Sequence, residues 1–120
     1  MTTYLDPLVG RECSRITIDA WSPIVVLWFL YGGPTGRVEI DAPFFLRAGE
    51  RTETLAPEGE REALAPVMRL IGQSVVAAAL GEEDALHLEF SGDLVLDVPG
   101  GSDETWWFDM VRDETALEPG

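Results

Sequence analysis

Cys13 and His87 are the only cysteine and the only histidine in the 120-residue chain. A thiol beside an imidazole is the smallest nucleophile pair that could be built from them. That chemistry needs both side chains within hydrogen-bond reach, and nothing in their spacing brings them together. His87 alternates with Leu86 and Leu88, so it reads as a half-exposed strand histidine sharing a face with Glu89 and Ser91. Without Cys-x-x-Cys or His-x-x-x-His spacing, an ordinary zinc site is excluded. Glu82-Glu83-Asp84 lacks the oxygen periodicity of a calcium loop and reads as a solvated turn. Asp41 and Asp97 both stand in Asp-x-Pro. Paired carboxylates invite acid–base chemistry, but ending a strand and satisfying nearby backbone N–H groups is the simpler role. The glycines follow turn logic and form no phosphate loop. The expectation is therefore no catalytic residue, no metal and no cofactor.

Binding is the better prospect. In "ETWWFDM" (104–110), alternation puts Trp106, Phe108 and Met110 on one face and Trp107 on the other with Thr105 and Asp109. An exposed Trp offers a large contact area at small entropy cost. "IVVLWFLY" (24–31) is apolar on both faces. Ile24, Val26 and Trp28 are expected inside. The second face, Val25, Leu27, Phe29 and Tyr31, must then be covered by a helix, the partner sheet or another molecule. The candidate interaction surface is accordingly Val25, Leu27, Phe29, Tyr31 and Trp107.

The elements that would position these residues come from an apparent internal repeat. Laying Gly72 on Gly10 aligns Ile16 and Ile18 with Ala78 and Leu80, and Ile24, Val26 and Trp28 with Leu86, Leu88 and Phe90. After an excess at Leu30–Thr35, "GRVEIDAP" (36–43) lies on "GDLVLDVP" (92–99). Each copy reads as a three-stranded meander, with strands near 11–20, 24–31 and 36–46, then near 73–80, 85–91 and 93–98, and a last strand at 104–110. Between them, a helix near 58–71 has Pro57 early, acids in its first turn and Arg69 near its end. Leu64, Val67, Met68 and Ile71 should face the core, with Pro66 kinking the helix and Gly72 stopping it. "QSVVAAAL" (73–80) then starts a strand, although alanine alone favours helix.

The fold expected is α+β: two antiparallel meanders, about 8–46 and 70–110, joined by one kinked helix packed on the sheet. The chain should be a single domain over 1–120, with loose ends at 1–7 and 113–120.

Charge narrows the partners. Twenty-two acids face eight basic residues, giving a formal net charge of −14. Such a chain repels phosphate backbones, which argues against direct nucleic-acid binding. The same field would steer it toward a basic protein. All the basic residues are Arg, a usage that points to a GC-rich bacterial genome. No apolar run is long enough for a bilayer, no signal stretch opens the chain, and a lone cysteine fits a reducing cytoplasm.

The order Leu-x-Gly, hairpin, acidic–Pro helix, Leu-x-Gly, hairpin and Glu-x-Trp is carried by "LVG" 8–10, "PEGEREALAPVMRLIG" 57–72, "LEFSGDLVLDVP" 88–99 and "ETW" 104–106. It resembles a family of small uncharacterised bacterial proteins, classed as a domain of unknown function. The first copy departs from that pattern in its longer hairpin and in Trp28. Proteins of this size are similar in kind to toxin-immunity and accessory proteins, and the resemblance supplies no catalytic residues. The expectation is a non-catalytic, acidic interaction module, in one form an immunity-type inhibitor or accessory protein. The alternatives are a small-molecule binder or minor enzyme with a pocket between the sheets, and a structural homodimer.

Overall fold

The structure, a computed structural model, describes residues 5–19, 23–101 and 105–111. Its strands are β1 (Arg15–Ile18), β2 (Val25–Phe29), β3 (Thr35–Ile40), β4 (Phe44–Ala48), β5 (Arg51–Leu55), β6 (Val75–Leu80), β7 (Leu86–Phe90), β8 (Leu94–Val98) and β9 (Trp106–Val111). They form two antiparallel sheets, ordered β1-β2-β3-β9 and β5-β4-β8-β7-β6. The α+β expectation holds in outline, as two antiparallel sheets with a helical connector.

Each meander hands its next strand to the other sheet. After β3, Asp41-Ala42-Pro43 turns the chain out, and β4 pairs with β8. After β8 and Pro99, β9 pairs with β3. The run expected as one strand over 36–46 is therefore two strands in different sheets, because Pro43 lacks the N–H needed to extend the β3 ladder. β5, closed onto β4 by Gly49-Glu50 so that Ala48 faces Arg51, escaped the sequence reading. "RTETL" is polar up to its last residue, the buried Leu55, as an exposed edge strand can be.

The openings of the two meanders meet. Glu12 bridges to Ser74. Around that bridge the hydrogen bonds are reciprocal: Gly10 N–H to Val75 O (2.7 Å) and Gly72 N–H to Cys13 O (2.8 Å), Cys13 N–H to Gln73 O and Val75 N–H to Arg11 O (2.9 Å each). Gly10 and Gly72 both sit at positive φ, +90° and +89°, where any side chain would be strained. Gly72 thus ends the helical segment, and "VVAAAL" is strand.

The connector differs from the expected α-helix. Arg61–Leu70 is a 3-10 segment containing Pro66. Proline denies an α-helical ladder one donor and crowds the carbonyl four residues back. The tighter turn has three residues per repeat, so Leu64, Val67 and Leu70 fall on one edge and are buried. Met68 and Ile71, expected inside from a 3.6-residue period, are 41% and 43% exposed.

One core fills the space between the sheets, built from Val25, Leu27, Phe29, Val38 and Ile40 on one side and Phe44, Leu46, Leu86, Leu88 and Leu96 on the other. Each such side chain contributes about 1.5–3 kcal/mol by leaving water. Leu5, just before the 3-10 turn Asp6–Leu8, and Leu8, its last residue, are fully buried in it. Of the ends expected loose, 1–7 and 113–120, Leu5 is held in the core, and 1–4 and 113–120 lie outside the described residues.

Burial reverses the expected phase of β2. Val25, Leu27 and Phe29 are 0% exposed and line the core, while Ile24, Val26 and Trp28 are half-buried on the outside. The second meander follows the expected phase, with Leu86, Leu88 and Phe90 inside. The alignment is thus one residue out of step in the middle strand, and one step moves every side chain to the other face. Three of the five candidate surface residues are core.

Candidate interaction surface

Tyr31 and Trp107 remain outside, 73% and 44% exposed. Trp107 lies on the outer face of the four-stranded sheet, and strand register defines what surrounds it. One row across that face is Thr17, Val26, Glu39 and Trp107; the next is Arg15, Trp28, Arg37 and Asp109. Trp106 and Phe108, on the opposite side of β9, pack against the core, and the Trp106 indole N–H donates to Asp84 O (2.6 Å).

Arg37 organises this face. Its guanidinium lies over both neighbouring rings, 5.7 Å from the centre of Trp28 and 5.0 Å from that of Trp107. Nε is 3.4 Å from the Glu39 carboxylate but out of hydrogen-bond alignment, and Nη2 is 3.5 Å from Asp109. A cation between two indoles and two carboxylates gains from ring quadrupole and charge together. The Trp28 indole N–H donates to Thr17 Oγ1 (2.9 Å), which fixes that ring's orientation. Two open cavities flank Glu39. One, of about 270 Å³, is lined by Ile24, Glu39, Asp41, Trp106 and Trp107. The other, of about 360 Å³, is bounded by Ile18, Asp19, Ile24, Val26 and Trp28.

His87 stands on the outer face of the other sheet, opposite Asp97 of β8. Nδ1 is 2.6 Å from Asp97 Oδ1 and Nε2 is 2.9 Å from Glu89 Oε2. The Asp97 hydrogen bond, then that of Glu89, raises the imidazole above its ordinary value of 6.5, against a smaller opposing effect of burial. Asp97 therefore serves a cross-strand histidine, where the sequence had suggested backbone capping. The pairing follows once β7 and β8 are set in register, information that no local motif carries. Because the folded value lies above the unfolded one, this contribution is complete below about pH 6.5 and fades as pH rises through the raised value. Asp97→Asn should lower the His87 midpoint in an NMR titration. Its destabilisation in urea should be larger at about pH 6 than at about pH 9.

Cys13 has a different environment. It is fully buried, and its thiol makes a long contact to Arg15 O (3.8 Å). Burial, only partly offset by backbone hydrogen bonds from Arg15 and Trp28, pushes the thiol up to about 12. Both His87 nitrogens are engaged by carboxylates on an outer face, so the two residues do not form a nucleophile pair. At about pH 8 the native protein should resist a thiol-specific reagent, and unfolding should release one reactive equivalent.

One further residue was missed in the sequence. Arg11 is only 8% exposed. Its Nε donates to Tyr31 O (2.9 Å), and its Nη2 donates to Phe29 O (2.9 Å) and Pro34 O (2.7 Å). It thereby holds the long β2–β3 hairpin loop, and with it the position of Tyr31. The signal was the loop excess at Leu30–Thr35, which needs a long donor to replace missing ladder bonds.

Among the described residues, no group of three or more His, Cys, Asp or Glu side chains could hold a metal ion. Among them, too, no helix is long and apolar enough to cross a membrane.

Taken together, the sheets and their shared core define a small β-rich domain carrying an outer face of aromatic and charged side chains. The model of a family of unknown function, DUF6188, matches residues 4–115, and the chain belongs to that family. No curated protein and no solved structure matches it.

Proposed function

We propose that the protein is a non-catalytic interaction module that binds a basic protein, using the outer face of the four-stranded sheet. The observation that carries this reading is Trp107, 44% exposed and facing Glu39 across the strand pair. An aromatic anchor that already holds the Arg37 guanidinium between Glu39 and Asp109, on a chain of net charge −14, matches a partner that presents arginine or lysine. Action as an immunity-type inhibitor or accessory protein in a bacterial cytoplasm is the cellular form of this reading. The test is capture of partners at low salt, repeated with Trp107→Ala. A partner lost both from that variant and at high salt supports the reading. Binding indifferent to Trp107 and to salt overturns it.

Two observations support reading the halves as copies of one unit. The bonds around Glu12 and Ser74 are reciprocal, and each meander passes its next strand to the opposite sheet. Self-association is the second reading, favoured by β6. This edge strand, "VVAAAL", has no charged residue, and Val76 is 55% exposed. Light scattering that finds only monomer up to high concentration removes it.

A further inference from the structure

The face around Trp107 already shows how it holds a guanidinium. Arg37 lies against the Trp107 ring, with Glu39 and Asp109 within ion-pair distance. One step along β3, the same ring and Glu39, both already in contact with Arg37, are joined by a second carboxylate, that of Asp41. Glu39 faces Trp107 directly across the strand pair. Asp41 follows on the same side, tied to the next strand by its N–H to Thr105 O (3.0 Å). These residues, with Ile24 and Trp106, line an open cavity of about 270 Å³. No basic residue is among the described residues that line it, and none lies within ion-pair distance of Asp41 among the described residues.

We propose that this cavity, between Trp107, Glu39 and Asp41, receives one arginine side chain of a protein partner. The proposal rests on the reading of the protein as a binder of a basic partner and locates the anchor of that contact. Planarity favours arginine over lysine: a guanidinium can lie on an indole face while its N–H groups reach two carboxylates. Ile24 gives the methylene stem an apolar wall. The neighbouring cavity beyond Glu39, edged by Val26 and Trp28, leaves room for an apolar residue adjacent to that arginine.

The probe is N-acetyl-arginine amide, with N-acetyl-lysine amide and the neutral isostere N-acetyl-citrulline amide as controls. All are titrated into the whole protein and followed by amide and indole NMR. Arginine should produce saturable shifts at the Trp107 indole and the Asp41 amide, lysine weaker ones, and citrulline none. Asp41→Asn should weaken arginine binding by roughly five- to tenfold. This exposed position keeps its backbone bond, and an unchanged spectrum elsewhere verifies the fold. Shifts scattered over all the acidic residues, or shifts at Trp107 that Asp41→Asn leaves untouched, overturn the pocket. So does equal response to citrulline. Should arginine fail here while a partner is still lost with Trp107→Ala, the pocket falls and the interaction reading stands. Should arginine bind here while capture proves indifferent to Trp107 and salt, the interaction reading falls and the pocket remains as a site without that role.

Discussion

Arg11→Met is expected to cost about 3 kcal/mol of stability, seen as a lower urea midpoint and a melting temperature reduced by roughly 10 °C. Methionine keeps most of the stem volume, so the loss reports the guanidinium rather than a cavity. Three carbonyl oxygens, those of Phe29, Tyr31 and Pro34, accept from Arg11. Arg11 itself is 8% exposed, so water cannot easily replace it as donor. Hydrogen bonds from a charged donor contribute more than neutral ones, and a buried acceptor left without a donor adds its desolvation penalty. Arg11→Lys should recover only part of the loss, since one ammonium cannot span three carbonyls as a planar fork does. In the second meander a shorter side chain, Gln73, stands beside the hairpin. Its Oε1 accepts from Ser91 Oγ (2.8 Å), and Ser91 Oγ in turn accepts from the Ser74 N–H (2.9 Å). That hairpin is shorter and needs a shorter prop. Gln73→Ala should therefore cost about 1 kcal/mol, and the contrast between the two sites is the measurement of interest. Equal effects would mean that the loop excess at Leu30–Thr35 does not depend on Arg11.

How far the chain could be read in advance depended on which features were local. Turn residues announced Gly72, whose positive φ needs glycine, and so the switch from connector to strand at Gln73 was legible despite three alanines. The hydrophobic alternation of Leu86, Leu88 and Phe90 gave the right face because polar His87 and Glu89 lie between them. In β2 that marker is missing: Val26 and Trp28 are apolar outside residues, so period alone could not choose a face. Composition also hid the helix type. A 3.0-residue and a 3.6-residue period agree on Leu64 and Val67 and part only at Leu70, Met68 and Ile71. The site suffered most, because its parts are non-local. Trp107 was visible from its own strand, but its neighbours Arg37, Glu39 and Trp28 come from β2 and β3. They meet only because β9 crosses from the second meander onto the first sheet.

The phase of β2 carries the sharpest consequence, and two adjacent substitutions measure it. Leu27→Asp should leave the chain unfolded at neutral pH, because residue 27 is 0% exposed and belongs to the hydrophobic core. An unpaired carboxylate there must either stay charged in a dry interior or take up a proton. Together with the lost apolar contacts, the penalty exceeds roughly 4 kcal/mol, a large share of a small domain's total stability. Phe29→Asp, two residues along the same face, should behave alike. Val26→Asp should fold. Its side chain lies in the outer row between Thr17 and Glu39, where water reaches both carboxylates and like-charge repulsion costs about 1 kcal/mol at most. Circular dichroism and urea titration of the pair give the answer without any ligand. Had Ile24, Val26 and Trp28 been the inner set, the outcome would be reversed, with Val26→Asp unfolded and Leu27→Asp intact. The folded Val26→Asp variant then gains a second use. It sits beside Glu39, the wall shared by the two cavities, and changes that face without disturbing the core. An effect on partner binding in that variant would belong to the surface alone, whereas any loss of binding in Leu27→Asp would report only the loss of the fold.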